Sequence, residues 1–461
     1  MASHLTNLRR EFRPMLFMAL PLALAELGWM AMGVVDTIMA GRLGAAAIGA
    51  GCLGGNLFYP IAIFGTGLLL GMDTLVAQSF GAGDPRDCRR SLVNGVWLAA
   101  GLAAPLALVV WALIPLLRAV GTNPRVMVLL GPYLKALLWG ILPLLAYTAL
   151  RRYLQAVNVV RPITFALVSA NIVNFAGNWA LMFGHWGAPA MGLEGSGWST
   201  TIARVYMAAV LVAAIAWHER KTGNLLFRMS WRPDVARLLR LLDLGLPAAL
   251  QILIEGGLFS VIAVLAARLD EVSLAAHGIA VNVVSTTYMV PLGIASAAAV
   301  RVGQAVGRKD RQGAATSGWT ALLLGTLFMA VAGLALWTAP RWILCVFTAD
   351  AAVIASGAVL LRIAALFELF DGFQTVTTGA LRGLGDTRSP MLAHLAGYWL
   401  IGLPISYVLC FRLKWGVPGI WVGLTAALIL IGVALVWVWK ARVRSLKKGS
   451  DAFCGFGRKC V

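Results

Sequence analysis

Charge is what this chain has least of. Only 12% of its 461 residues are Asp, Glu, Lys or Arg, while 60% are hydrophobic. A soluble domain carries about a quarter charged residues, and the mean hydropathy of +0.82 points the same way. Catalytic motifs are missing too. There is no HExxH, no Gly-rich phosphate loop and no GxSxG, and the five histidines (4, 185, 218, 277, 394) stand singly, which leaves motif-borne catalysis no foothold. The six cysteines (52, 88, 345, 410, 454, 460) show no CxxC spacing. Cys52 and Cys410 fall inside apolar runs and read as small buried hydrophobes. The N-terminal MASHLTNLRREFRP leads into a hydrophobic stretch too long for a cleavable signal.

What is present is long apolar runs. Residues 43–72, 91–117, 163–193, 272–300 and 312–340 contain almost nothing ionisable, Glu194 lying just beyond the third run. Each exceeds the roughly 20 residues needed to cross a bilayer as a helix. A β-barrel would instead show short alternating segments. The chain therefore reads as an all-α integral membrane protein with twelve transmembrane helices, near 14–40, 46–70, 91–117, 131–150, 163–184, 193–217, 244–267, 272–300, 314–338, 352–381, 389–411 and 416–439. With both termini cytoplasmic, the basic residues favour the inner segments about four to one, as the positive-inside rule expects. The formal net charge of +19 is then explained by an anionic inner leaflet rather than by nucleic acid.

The sequence also repeats itself. Residues 21–84 align with 247–310 at a constant offset of 226, matching Pro21 with Pro247, Arg42 with Arg268, Asn56 with Asn282, Gly81 with Gly307 and Asp84 with Asp310. ALRRYLQAVNVVRP (149–162) resembles ALRGLGDTRSP (380–390) once three residues are gapped. Each half holds six helices, an even number, so both enter the membrane in the same direction. That makes two six-helix bundles related by a parallel internal repeat, one of the architectures of secondary transporters. The expected divisions are a lobe over 1–217, a basic cytoplasmic linker over 218–242, a second lobe over 243–439 and a basic tail over 440–461.

Against this background the acids in apolar surroundings stand out. A charge at mid-bilayer costs about 2.5–3.5 kcal/mol on insertion scales, so such residues face a cavity or a partner. Asp36, Glu255 and Asp371 are the leading cation- or proton-binding candidates. Across the repeat they sit where the halves disagree: Asp36 meets Ile262, Glu255 meets Trp29, and Asp371 falls near Gly140. Within FELFDGF, Phe367, Glu368 and Asp371 share a helix face. Glu26 lies ten residues before Asp36, about 80° out of register. Asn174 and Asn178 are one turn apart and read, by themselves, as an interhelical hydrogen-bonding pair. Asp73, at a helix end beside Thr74, reads as a loop-fixing residue.

PLALAELGWMAMGVVDTIMAGRLGAAAIGA, GMDTLVAQSFGAGD, LIEGGLFS and DGFQTVTTGALRGLGDTRSP together resemble the multidrug and toxic compound extrusion (MATE) family, in its NorM-like branch, over about residues 10–440. The resemblance implies two lobes around a central cavity, exporting organic cations and drugs in exchange for Na⁺ or H⁺. It implies that Glu255 and Asp371 are cation-site acids, with Na⁺ held there if Na⁺ is the coupling ion. It further implies that Asp36, Asn174 and Asn178 form the polar cluster of the first lobe and join the cation- or proton-binding residues, with Ser196 nearby. Phe367 stands where that branch often has Tyr. Phe367, Glu368, Ser196 and Glu26 complete the substrate-cavity candidates. No cofactor beyond the coupling ion, no enzymatic activity, a monomer and a bacterial inner membrane are expected. A lipid-linked sugar flippase is disfavoured because Lys135, Arg204 and Arg362 are the only basic residues inside helices. An intramembrane lipid-modifying enzyme lacks a His, Ser or metal constellation, and a channel would not need two matched lobes.

Overall fold

In lipid every backbone polar group must be satisfied within its own segment, and the chain obeys this with helices alone. The computed structural model describes residues 2–222 and 230–448, and those residues contain no strand. Part of the basic linker (223–229) and the end of the tail, including CGFGRKCV, lie outside the described residues. The helices are α1 (Ala2–Gly41), α2 (Ala45–Gly81), α3 (Pro85–Ala119), α4 (Pro124–Trp139 continuing as Ile141–Ala156), α5 (Arg161–Phe183), α6 (Leu193–Lys221), α7 (Val235–Ala266), α8 (Glu271–Gly307), α9 (Arg311–Thr338), α10 (Ala351–Leu384), α11 (Arg388–Arg412) and α12 (Val417–Lys448). Eleven are long and apolar enough to cross a membrane alone; the twelfth, α4, does so as two segments bent by 40°.

Most run well past the expected bounds. α3 begins at Pro85 rather than 91, and α8 ends at Gly307 rather than 300. A span needs about 20 residues, whereas α8 has 37. Hydropathy detects the lipid-immersed part, and the polar ends continue the same hydrogen-bonded ladder. Several basic residues assigned to connections, Arg151, Arg152, Arg301 and Arg382 among them, are therefore helical. The repeat shows in the capping. Asp84 and Asp310, matched across the halves, both cap the helix that follows, through Arg86 and Asp87 N–H for α3 and through Gly313 N–H for α9. α10 starts on Asp350, which accepts from Ala352 and Val353 N–H, and stops at Gly385, whose φ of 91° only glycine adopts freely. α11 departs from a regular α-helix, with π-helical turns over Leu395–Gly402 and Val408–Arg412.

The chain forms two compact units. The first gathers residues 24–80 and 84–249; the second gathers 1–23, 81–83 and 250–461. The first 23 residues, placed with the first lobe on sequence grounds, thus cluster with the second unit, where Glu11 of α1 pairs with Arg301 of α8 and accepts from the Ser317 hydroxyl. Cys88 and Cys410 are buried, but Cys52 is exposed, contrary to the reading of it as buried. Its apolar run reported on lipid compatibility, which a surface facing lipid satisfies as well as a core.

Candidate functional site: two polar clusters

In the first unit, α1, α5 and α6 bring Asp36 into a set of neutral donors. Asn178 Nδ2 donates to Asp36 Oδ1 at 2.6 Å, and Thr200 Oγ1 donates to Oδ2 at 3.2 Å. Asn178 also donates to Asn174 Oδ1 at 3.3 Å, and Ser199 Oγ donates to the Asn174 carbonyl at 2.6 Å. The one-turn spacing of the two asparagines puts both amides on the face of α5 that meets α1 and α6, and both are fully buried. Ser196 is buried one turn before Thr200, and it is Thr200 that supplies the hydroxyl to Asp36. Trp29, Met32, Gly33, Asp36, Tyr59, Thr200 and Arg204 line one recess.

Glu26 goes elsewhere. It forms a buried ion pair with Arg151 of α4, which balances its charge within the protein. Asp73, fully buried, pairs with Arg152 at 3.3 Å, in keeping with a fixing role. Arg89 and Glu219 make a third buried pair at 2.9 Å, with Tyr153 Oη donating to the same glutamate at 2.8 Å. None of these three pairs was legible beforehand.

In the second unit, α7, α10 and α11 assemble the other cluster. Asp371 accepts from Gln374 Nε2 at 2.9 Å, and Gln374 Oε1 lies 2.5 Å from His394 Nε2. The same ring nitrogen stands 4.0 Å from Glu255 Oε2, while His394 Nδ1 lies 2.7 Å from the Pro390 carbonyl oxygen. The expected partners Glu255 and Asp371 are thus joined through Gln374 and His394, a fully buried histidine read from sequence as one of five isolated ones. Only the packing of α11 against its neighbours brings it there; no spacing could have announced it. Glu368, fully buried, accepts from the Thr287 hydroxyl of α8, and its Oε2 has no partner among the described residues. Phe367 is 1% exposed and packs edge-on against Trp421 and Phe259, with ring centroids at 5.6 and 6.5 Å. Its ring is thus buried within an aromatic cluster.

Among the described residues, no Lys or Arg forms an ion pair with Asp36, Glu255, Glu368 or Asp371. Arg362, the basic residue of the same helix as Asp371, is exposed. The four acids therefore keep lone pairs available for an incoming cation.

The MatE family model matches residues 21–180 and again 247–408. The chain belongs to the MatE family. The second match starts 226 residues after the first, the offset of the internal repeat. Curated relatives named NorM are similar to this chain over nearly their whole length. The "Probable multidrug resistance protein NorM" of Mesorhizobium japonicum is 38% identical over 448 residues, covering 95% of each chain. That of Brucella suis biovar 1 is 36% identical over 440 residues, covering 94% of this chain and 93% of the relative. Among solved structures, the eukaryotic MATE transporter AtDTX14 superposes with a TM-score of 0.86 at 20% identity, covering 96% of this chain and 99% of that one. The twelve-helix fold is therefore a MATE fold.

Proposed function

We propose that this MATE-family protein is a multidrug efflux antiporter, a transporter rather than an enzyme, which exports organic cations in exchange for Na⁺ or H⁺ by alternating access. The observation that carries this reading is a set of acids, Glu368 and Asp371 buried and Asp36 and Glu255 partly so, held by amides, hydroxyls and one histidine, with no Lys or Arg paired to them among the described residues. Carboxylate oxygens are ligands for a hard cation such as Na⁺ and equally sites for a proton. Glu255 and Asp371 take the coupling ion; Asp36, with Asn174, Asn178 and Thr200, belongs to the drug path. Export is driven because the two cations oppose each other's binding, a coupling that is reciprocal and appears as an affinity difference between states. The names of the curated relatives support the multidrug substrate class. The basic loops support a bacterial inner-membrane location with both termini cytoplasmic, and a monomer suffices for the mechanism.

The test uses inverted vesicles and a fluorescent organic cation. Dissipating the Na⁺ and proton gradients separately identifies the coupling ion by which one stops efflux. Asp371→Asn and Glu255→Gln should each abolish gradient-driven efflux while the protein still reaches the membrane. Full efflux by both variants under an imposed gradient would sink the assignment.

A further inference from the structure

The first unit contains a charge that the exchange described above leaves unused. Arg204 lies on α6 one turn after Thr200 and is 1% exposed. Its guanidinium carbon stands 4.9 Å from the centroid of the Phe58 ring. Its Nη1 lies against Gly140, where any Cβ would come within 2.8 Å. Gly140 is the bend of α4, so the guanidinium sits at the C-terminal end of the segment Pro124–Trp139, where carbonyls carry partial negative charge. This seat is incomplete. Nε and Nη1 of Arg204 have no hydrogen-bond partner among the described residues, and no carboxylate forms an ion pair with it.

An arginine does not shed its proton, and a buried unpaired charge is costly unless something balances it. Asp36 lines the same recess. Each of its oxygens accepts one side-chain bond, whereas a carboxylate offers about four lone-pair sites. Thr200, one turn before Arg204, already reaches that carboxylate, so Arg204 lies on the helix face turned toward it.

We propose that Arg204 is the built-in counter-cation of Asp36, and that an exported organic cation binds there only by competing with it. This rests on Asp36 belonging to the drug path. With a drug cation at Asp36, the guanidinium keeps its seat over Phe58 and Gly140. Once the drug has left, it closes onto the open lone pairs, so the carboxylate is never left without a positive partner and the released drug is discouraged from rebinding. No bond is made or broken; the exchange is of one delocalised cation for another.

The experiment measures binding of tetraphenylphosphonium to the purified full-length protein. Arg204→Met should tighten binding tenfold or more, equivalent to about 1.4 kcal/mol, and Arg204→Lys should leave it near wild type. In an Asp36→Asn background, Arg204→Met should change nothing. Unchanged or weaker binding by Arg204→Met, or the same gain without Asp36, overturns the inference. If Arg204→Met alone is too unstable to purify, recovery of yield in the Asp36→Asn double variant supports charge balance between the two. Instability that persists in the double variant overturns it. A wild type that binds tetraphenylphosphonium, with binding lost in Asp36→Asn but insensitive to residue 204, removes this inference alone. A wild type that binds none removes the functional reading and the inference with it.

Discussion

The two units treat their buried acids differently. In the first, Glu26, Asp73 and Glu219 each have an arginine, and Asp36 shares a recess with Arg204. In the second, Glu255, Glu368 and Asp371 have among the described residues only His394 as a basic neighbour, and histidine is positive only when protonated. Its arginine pairs, Glu11 with Arg301 and Asp386 with Arg442, involve other carboxylates. The first unit thus balances most of its acids with arginine internally, while the second holds three carboxylates with no arginine paired to them among the described residues. The two halves share a repeat and yet balance their charge differently.

The strongest way to break this contrast is to open a locked pair. Glu26→Gln should cost about 3–5 kcal/mol, because Arg151 is left buried and unpaired. Thermal unfolding in detergent would show it as a large fall in midpoint, largely recovered by Glu26→Met with Arg151→Met. A fall no larger than that of Glu255→Gln would mean the units do not differ in this way. Next in size, Thr287→Val removes the single hydroxyl that serves Glu368 and should cost about 1–3 kcal/mol, the penalty for an unsatisfied buried group. Restoration by a second change, Glu368→Leu, would identify the carboxylate as the cause.

Gly140→Ala tests the seat of Arg204. A Cβ there meets the Thr201 hydroxyl as well as Arg204 Nη1, both at 2.8 Å, and that hydroxyl is held by the Ala136 carbonyl, so some stability is lost while the guanidinium is displaced from its seat. Tetraphenylphosphonium binding should weaken a few-fold, and the effect should vanish in Arg204→Met. The smallest effect concerns a cap outside the membrane. Asp270 accepts from the hydroxyl and backbone N–H of Ser273, and these bonds hold its carboxyl below the ordinary range. A depressed folded-state value adds stability above the unfolded value and loses it as pH falls through the folded one. Asp270→Ala should therefore lower the unfolding midpoint slightly at neutral pH, with the difference disappearing in strong acid. A difference that grew on acidification would contradict the sign.

Much of the fold was legible because the bilayer turns a global requirement into a local one. The apolar length can be read within short windows, and the 226-residue offset by laying one such window over another. So can the location of the acids, since an ionisable group in an apolar run is conspicuous wherever it lies. Helix ends were less visible, because a polar ending continues the ladder without an apolar signal.

What the sequence by itself determined is therefore the number of helices, their doubling and which carboxylates are submerged, all consequences of denying backbone and charge their water. Only the tertiary structure decided which submerged carboxylate meets a cation. Glu26 finds Arg151, 125 residues away; Glu255 finds His394; and Phe367 packs its ring against Trp421. Coulomb attraction depends on separation through space, and separation along the chain says almost nothing about it.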